Sequence, residues 1–310
     1  MINQYREKYI TLNNSIKKPE LIYPLSNRGF FSELNNLVLA ALYCLDNKIK
    51  FKIHSGKWVS GKWEDYFYPI FKEYKGLIPI PENVYVERRF DFLYALFHKH
   101  LKKRKLLKED IWGNMRSKAF IEKTFYYPEL GINGDIFEAK RQLFKIILDY
   151  NKKTAEEVFS PLENDLDFVE KSCGIHVRRG DKVSGTSKEA ESFNIESYIN
   201  KTLEFDPEIK DFTICTDDNQ VLENFKTHYP KLNYLSYCPA NRLGYFQKQY
   251  NNTKETREKR QEVINILKDA NLLIQSKIFV GTYSSNISRF VVLMRNNKNC
   301  YSLDIPWTPL

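Results

Sequence analysis

A chain of 310 residues with 42% hydrophobic and 28% charged content holds enough apolar material for two cores and too much for a disordered protein. Its net charge of +9 suits nucleotide diphosphates and would equally suit nucleic acid, although no nucleic-acid partner is expected. No apolar run reaches the roughly 18–20 residues of a membrane span, and the residues after Met1 lack the apolar stretch of a secretory leader. A cytoplasmic protein or a soluble catalytic portion is therefore expected. The cysteines at 44, 173, 215, 238 and 300 have no paired spacing, which points to a reduced compartment and away from a thiolate metal site.

In chain order, residues 21–25 read as a strand, Ser26 to Gly29 as a loop, 30–45 as an amphipathic helix and 49–53 as an alternating strand. This is one βαβ unit, and Gly29 is expected to let the backbone approach a phosphate at the helix start. Residues 80–165 look mainly helical, with a basic run over 98–108 that reads as a solvated face or loop. From Lys171 onward strands and helices alternate. Strands are expected at 173–178, 212–216, 233–237, 278–282 and 300–304, with helices near 195–205, 219–229, 262–276 and 285–296. Such alternation implies parallel sheets. The class is α/β, with two Rossmann-like domains, 1–165 and 166–310, divided near Pro161 to Asp165 and facing across a cleft in the arrangement called GT-B.

The most informative segment is Gly174-Ile175-His176-Val177-Arg178-Arg179-Gly180-Asp181-Lys182-Val183. A buried strand empties into two guanidiniums, a glycine and an aspartate, at the strand end where open α/β sheets bind ligands. Bidentate guanidiniums match the oxygens of a diphosphate. Arg178 is the first choice for the phosphate of a leaving group; Arg179 is either a second cation or a structural partner for Asp181. His176 shares a face with Arg178. Asp217 and Asp218 end the next strand, where they either organise the site or hold Mg²⁺. The arginines can replace a divalent ion and no Asp-x-Asp motif feeds an obvious cleft, so no metal and no cofactor is expected. Ser284 and Ser285, between a strand and a helix, offer hydroxyls and amides to a phosphate or simply cap the helix. Arg289 would complete the pocket or pair with Asp304.

His176 to Lys182 resembles the signature of fucosyltransferases that use GDP-fucose. Lys182-Val183 is closer to their α1,6 branch, the core N-glycan and rhizobial nodulation enzymes, than to the α1,2 branch. Thr216-Asp217-Asp218, the segment from Gly281 to Arg289, and Gly29 to Leu34 with Trp58, Trp63 and Glu64 resemble further motifs of that branch, in the same order. The resemblance implies a GT-B fold and inverting transfer of L-fucose from GDP-β-L-fucose to a glycan, at O6 of N-acetylglucosamine. It implies that His176 serves the nucleotide and that Asp269 reads guanine. It also places a general base shortly after the arginines, which selects Glu189 with Glu191 as the alternative. Lys182 would position that loop or reach the diphosphate. The loop after Lys182 is longer here than in the branch. The same donor site would serve an α1,2- or protein O-fucosyltransferase, and a non-catalytic nucleotide-sugar or RNA-binding protein is the reading of another class.

Overall fold

The computed structural model describes residues 4–17, 19–56, 58–75, 104–106, 109–183, 191–253 and 255–308. The chain divides into two compact units, Met1–Asn151 and Lys152–Leu310. The division precedes the expected one, because Pro161 to Asp165 lie inside the helix Lys152–Lys171, which runs on through Pro161. Expectations for 76–103 and 184–190 lie outside the described residues. These include most of the basic run and Glu189.

The first unit opens with helix α1 (Gln4–Ser15), which is polar along most of its length and buries Tyr9 and Asn13. The Asn13 amide joins it to the first sheet, donating to the carbonyl of Phe51 at 2.9 Å and accepting from its amide at 2.8 Å. Strands β1 (Glu20–Pro24), β2 (Lys50–His54), β3 (Lys72–Glu73) and β4 (Arg104–Leu106) form one parallel sheet in the order β3-β2-β1-β4. Residues 104–106 of the basic run are thus an edge strand, not a helix face. Helix α2 (Phe30–Asp46) buries twelve of its seventeen residues, as an apolar sequence with little polar relief must. Short helices α3 (Glu109–Asn114) and α4 (Lys118–Ile121), an antiparallel pair β5 (Phe125–Tyr127) and β6 (Ile132–Gly134), and helix α5 (Ile136–Ile147) follow. The stretch expected to be mainly helical therefore also carries three strands. The aromatic residues fill this unit's core: Phe30 stacks on Trp58 at 5.7 Å and Trp63 meets Phe67 at 4.7 Å.

The second unit begins with α6 (Lys152–Lys171) and continues as β7 (Cys173–Val177), α7 (Ile195–Leu203), β8 (Asp211–Thr216), α8 (Asn219–His228), β9 (Asn233–Leu235), α9 (Gln247–Asn252), α10 (Thr256–Gln275), β10 (Ile278–Gly281), α11 (Asn286–Met294) and β11 (Cys300–Ser302). All five strands are parallel, in the order β11-β10-β7-β8-β9. Counted within the unit this is the Rossmann order, with its reversal between β7 and β10. β7 is buried at every position, as a central parallel strand between two helix layers should be. α10 begins six residues before the expected start, because the Glu, Lys, Arg and Gln of 256–261 are strong helix formers that lack only an apolar stripe.

Candidate functional site

The site grows from the place where the strand order reverses. β7 ends at Val177, and the chain leaves as Arg178 and Arg179 into a short 3₁₀ turn, Gly180–Lys182. Arg178 meets Asp217 through Nη1 to Oδ2 at 3.0 Å and Asp181 through Nη2 to Oδ1 at 3.4 Å. Its guanidinium lies over the Tyr245 ring, 4.9 Å from the centroid. About a fifth of the side chain stays exposed, 21%, so a ligand can reach it.

Arg179 behaves differently. Its guanidinium donates to the carbonyl of Arg178 at 3.2 Å, the Ser192 hydroxyl at 3.2 Å and the carbonyl of Phe193 at 3.0 Å. It ties the strand exit to 191–194, the segment that carries the exposed Glu191. Asp181, one expected partner of Arg179, pairs instead with Arg178 and accepts from the amide of Gln247 at 2.7 Å. Lys182 closes the short turn, half-buried.

Asp217 is the hub. Its Oδ1 accepts from the amide of Arg179 at 2.7 Å; its Oδ2 accepts from the amide of Tyr245 at 3.1 Å and faces Arg178. Asp218 caps α8, accepting from the amide of Gln220 at 3.0 Å. The two carboxylates thus accept from the amides of different segments. His176 is buried, with Nδ1 3.1 Å from the Ser288 hydroxyl. Burial, with Arg178 adding to it, pushes its pKa down to about 3, so the ring is neutral at physiological pH.

The neighbouring strand β10 ends in the turn that starts α11. Asp304 organises this turn, accepting from the amides of Tyr283 at 2.6 Å and Ser284 at 3.0 Å and from the Ser302 hydroxyl at 2.6 Å. Burial raises the Asp304 pKa, but these donors and the Ile305 amide outweigh it and hold the carboxyl below the usual range. Asp304 is thereby occupied. Arg289 donates through Nε to the carbonyl of Tyr283 at 2.7 Å and stacks on the Tyr283 ring at 4.2 Å. Ser285 stands at the N-cap position of α11, yet its side chain makes no capping bond. The Ser284 Oγ is buried and has no hydrogen-bond partner. A buried hydroxyl without a partner beside an uncapped helix start is costly unless a ligand completes it.

Asp269 projects from α10 where that helix touches β8, and the Cys215 thiol donates to its main-chain carbonyl at 3.6 Å. Burial pushes its carboxyl up to about 7, with Cys215 and Arg242 pulling the other way. Gly29 precedes α2 with φ −55° and ψ 141°, backbone that any residue can adopt. Behind it the buried Glu33 accepts from the Tyr23 hydroxyl at 2.7 Å and the Ser26 hydroxyl at 2.6 Å, which fills the turn with a carboxylate.

Sequence reasoning missed the segment 242–247. It is laid against β7 and β8 by main-chain bonds: Gly244 amide to Asp217 carbonyl at 2.8 Å, Asn219 amide to Arg242 carbonyl at 2.9 Å, and Asp181 amide to Tyr245 carbonyl at 3.2 Å. Gly180 and Gly244 both have positive φ, +72° and +91°, and meet back to back. A Cβ on Gly180 would overlap the carbonyl oxygen of Tyr245. The only signal in the sequence was an apolar Leu243-Gly244-Tyr245-Phe246 inside a polar stretch.

Two parallel α/β units, one with the Rossmann order and a fixed guanidinium at its reversal, define a GT-B-like protein. The same fold occurs in NodZ α-1,6-fucosyltransferase co-crystallized with GDP, with a TM-score of 0.53 at 14% identity over 90% of this chain and 93% of that one. The NodZ fucosyltransferase from Bradyrhizobium gives 0.54 at 14% identity over 90% and 92%. A mutant of Arabidopsis thaliana FUT1 in complex with GDP gives 0.53 at 10% identity over 97% and 74%. No curated protein matches the chain by sequence. Residues 140–299, just over half the chain, match the family described as alpha-(1,6)-fucosyltransferase N- and catalytic domains, and the chain belongs to that family.

Proposed function

We propose that this chain is a metal-independent, inverting fucosyltransferase that moves L-fucose from GDP-β-L-fucose to O6 of N-acetylglucosamine in a glycan. One observation carries the reading: Arg178, held at the β7 exit by Asp217, Asp181 and Tyr245, stands on the strand adjacent to the uncapped Ser284–Ser285 turn. Arg178 stabilises the charge that gathers on the departing diphosphate, the electrostatic role that most often dominates such catalysis. The buried Ser284 hydroxyl, which has no partner, supplies a donor for the same oxygens. Asp269 accepts the N1–H and 2-amino group of guanine, an arrangement adenine cannot offer, and the neutral His176 contributes to the nucleotide site. The base that takes the acceptor proton is Glu189 or Glu191. Arg179 sets the segment that bears Glu191, and Lys182 positions the same loop or reaches the diphosphate. Metal independence is supported by Asp217, whose oxygens already accept from two amides and face a guanidinium.

Linkage analysis tests the reading directly. The protein is incubated with GDP-fucose and, separately, chitobiose, galactosides and folded peptide domains. An α1,6-linked product on chitobiose in the presence of EDTA is expected. Product only on galactosides or peptides would reassign the acceptor, and turnover that EDTA abolishes would overturn metal independence.

A further inference from the structure

The segment from Arg242 to Gln247 meets Arg178, Gly180 and Asp181 at the β7 exit, yet nothing above gives it a duty. Its side chains do not explain its placement by burial, since Leu243 is 75% exposed and Phe246 44% exposed. What fixes it is the main chain, together with the Arg242 guanidinium, which pairs with both oxygens of Glu262. Asn219, Gly244, Tyr245 and Gln247 give or receive bonds that zip it to Asp217, Asp218 and Asp181. The glycine contact between 180 and 244 allows no side chain to separate the two backbones. The one ring carried inward by this arrangement is Tyr245. It lies under the Arg178 guanidinium, 5.6 Å from the ring of Tyr250, and its hydroxyl meets Gln247 Oε1 at 3.3 Å.

A guanidinium that must bind an anion poses a physical problem. It has five N–H donors, and each carboxylate that holds it in place spends some of them and cancels charge. An aromatic face holds the same cation without consuming a donor. We propose that Tyr245 is a positioning residue for Arg178: the 242–247 segment is built to lay an aromatic shelf beneath the guanidinium and leave its remaining donors for a diphosphate. This rests on the reading of Arg178 given above.

The test is a double-mutant cycle on GDP affinity with the full chain, using Tyr245→Leu, Arg178→Ala and the double variant. Tyr245→Leu weakens GDP about five- to ten-fold when Arg178 is present, the range of a partly desolvated cation–π contact. In the Arg178→Ala background it weakens GDP less than about two-fold, because the cation it served is gone. Tyr245→Phe, which keeps the ring, restores affinity to within about two-fold of the parent. Should Tyr245→Leu fail to fold, Tyr245→Met takes its place in the cycle. Equal losses in both backgrounds, or no loss in either, overturn the proposal. If Arg178→Ala itself leaves GDP affinity unchanged, the reading of Arg178 fails instead, which separates the two claims.

Discussion

The two units solve the same topological problem with opposite chemistry. Each is a parallel sheet whose first strand lies inside the sheet, with a later strand added on its far side, so each has a crevice at a strand's carboxyl end. In the first unit the turn after β1 closes over a buried carboxylate, Glu33, bonded to Tyr23 and Ser26. In the second, the turn after β7 presents Arg178 and is propped open by Tyr245 and the Gly180–Gly244 contact. A shared strand order therefore supplies a place and not a function; the residues that leave the strand decide what the place can bind.

The contrast can be broken at its strongest point. Arg178→Ala lowers turnover of GDP-fucose by about 10²–10³-fold, as loss of a preorganised charge-stabilising group does, with little change in melting temperature. Gly180→Ala attacks the prop. Its positive φ and its overlap with the Tyr245 carbonyl cost about 3 kcal/mol of stability, read from chemical denaturation, and lower turnover with it. The first unit responds in the opposite sense. Glu33→Ala leaves the Tyr23 and Ser26 hydroxyls buried without their acceptor and costs about 2–3 kcal/mol, while GDP affinity is unchanged.

The smallest effect is a pH dependence. In the proposed guanine contact Asp269, with its carboxyl near 7, must be charged to accept both donors, so that proposal predicts that GDP affinity falls as pH drops below about 7 and levels off above it. The stability sign is the reverse. Its folded pKa is raised, so its contribution is present below the unfolded carboxylate range near 4 and is lost as pH rises through about 7. Asp269→Asn should flatten both profiles, measured by titration calorimetry and by thermal melts across pH 5–8.

Much of the second unit was legible because its signals are local. An apolar run that ends in two arginines, a glycine and an aspartate places strand, exit and charge within ten residues, and Thr216 to Asp218 does the same for β8. The roles within those motifs were less legible. Arg179 and Asp181 are neighbours in sequence, yet their partners are Ser192 and Phe193 for one and Gln247 for the other. Tyr245 was invisible because its main-chain amide and carbonyl place it, through bonds to Asp217 and Asp181 some thirty and sixty positions away, and such bonds set no preference for the residue at 245 itself. Pro161 misled for a related reason. It looks like a linker residue, but the helix continues through it, and the Tyr237 hydroxyl meets its carbonyl at 3.0 Å.

The most direct measurement compares GDP with GMP on the parent and on Arg178→Ala by calorimetry. GDP should bind the parent more tightly than GMP, and the advantage should collapse in the variant while GMP affinity stays within about two-fold, because the guanidinium serves the second phosphate. If the variant keeps the full preference for GDP, the guanidinium at the β7 exit does not hold a diphosphate and the account is wrong.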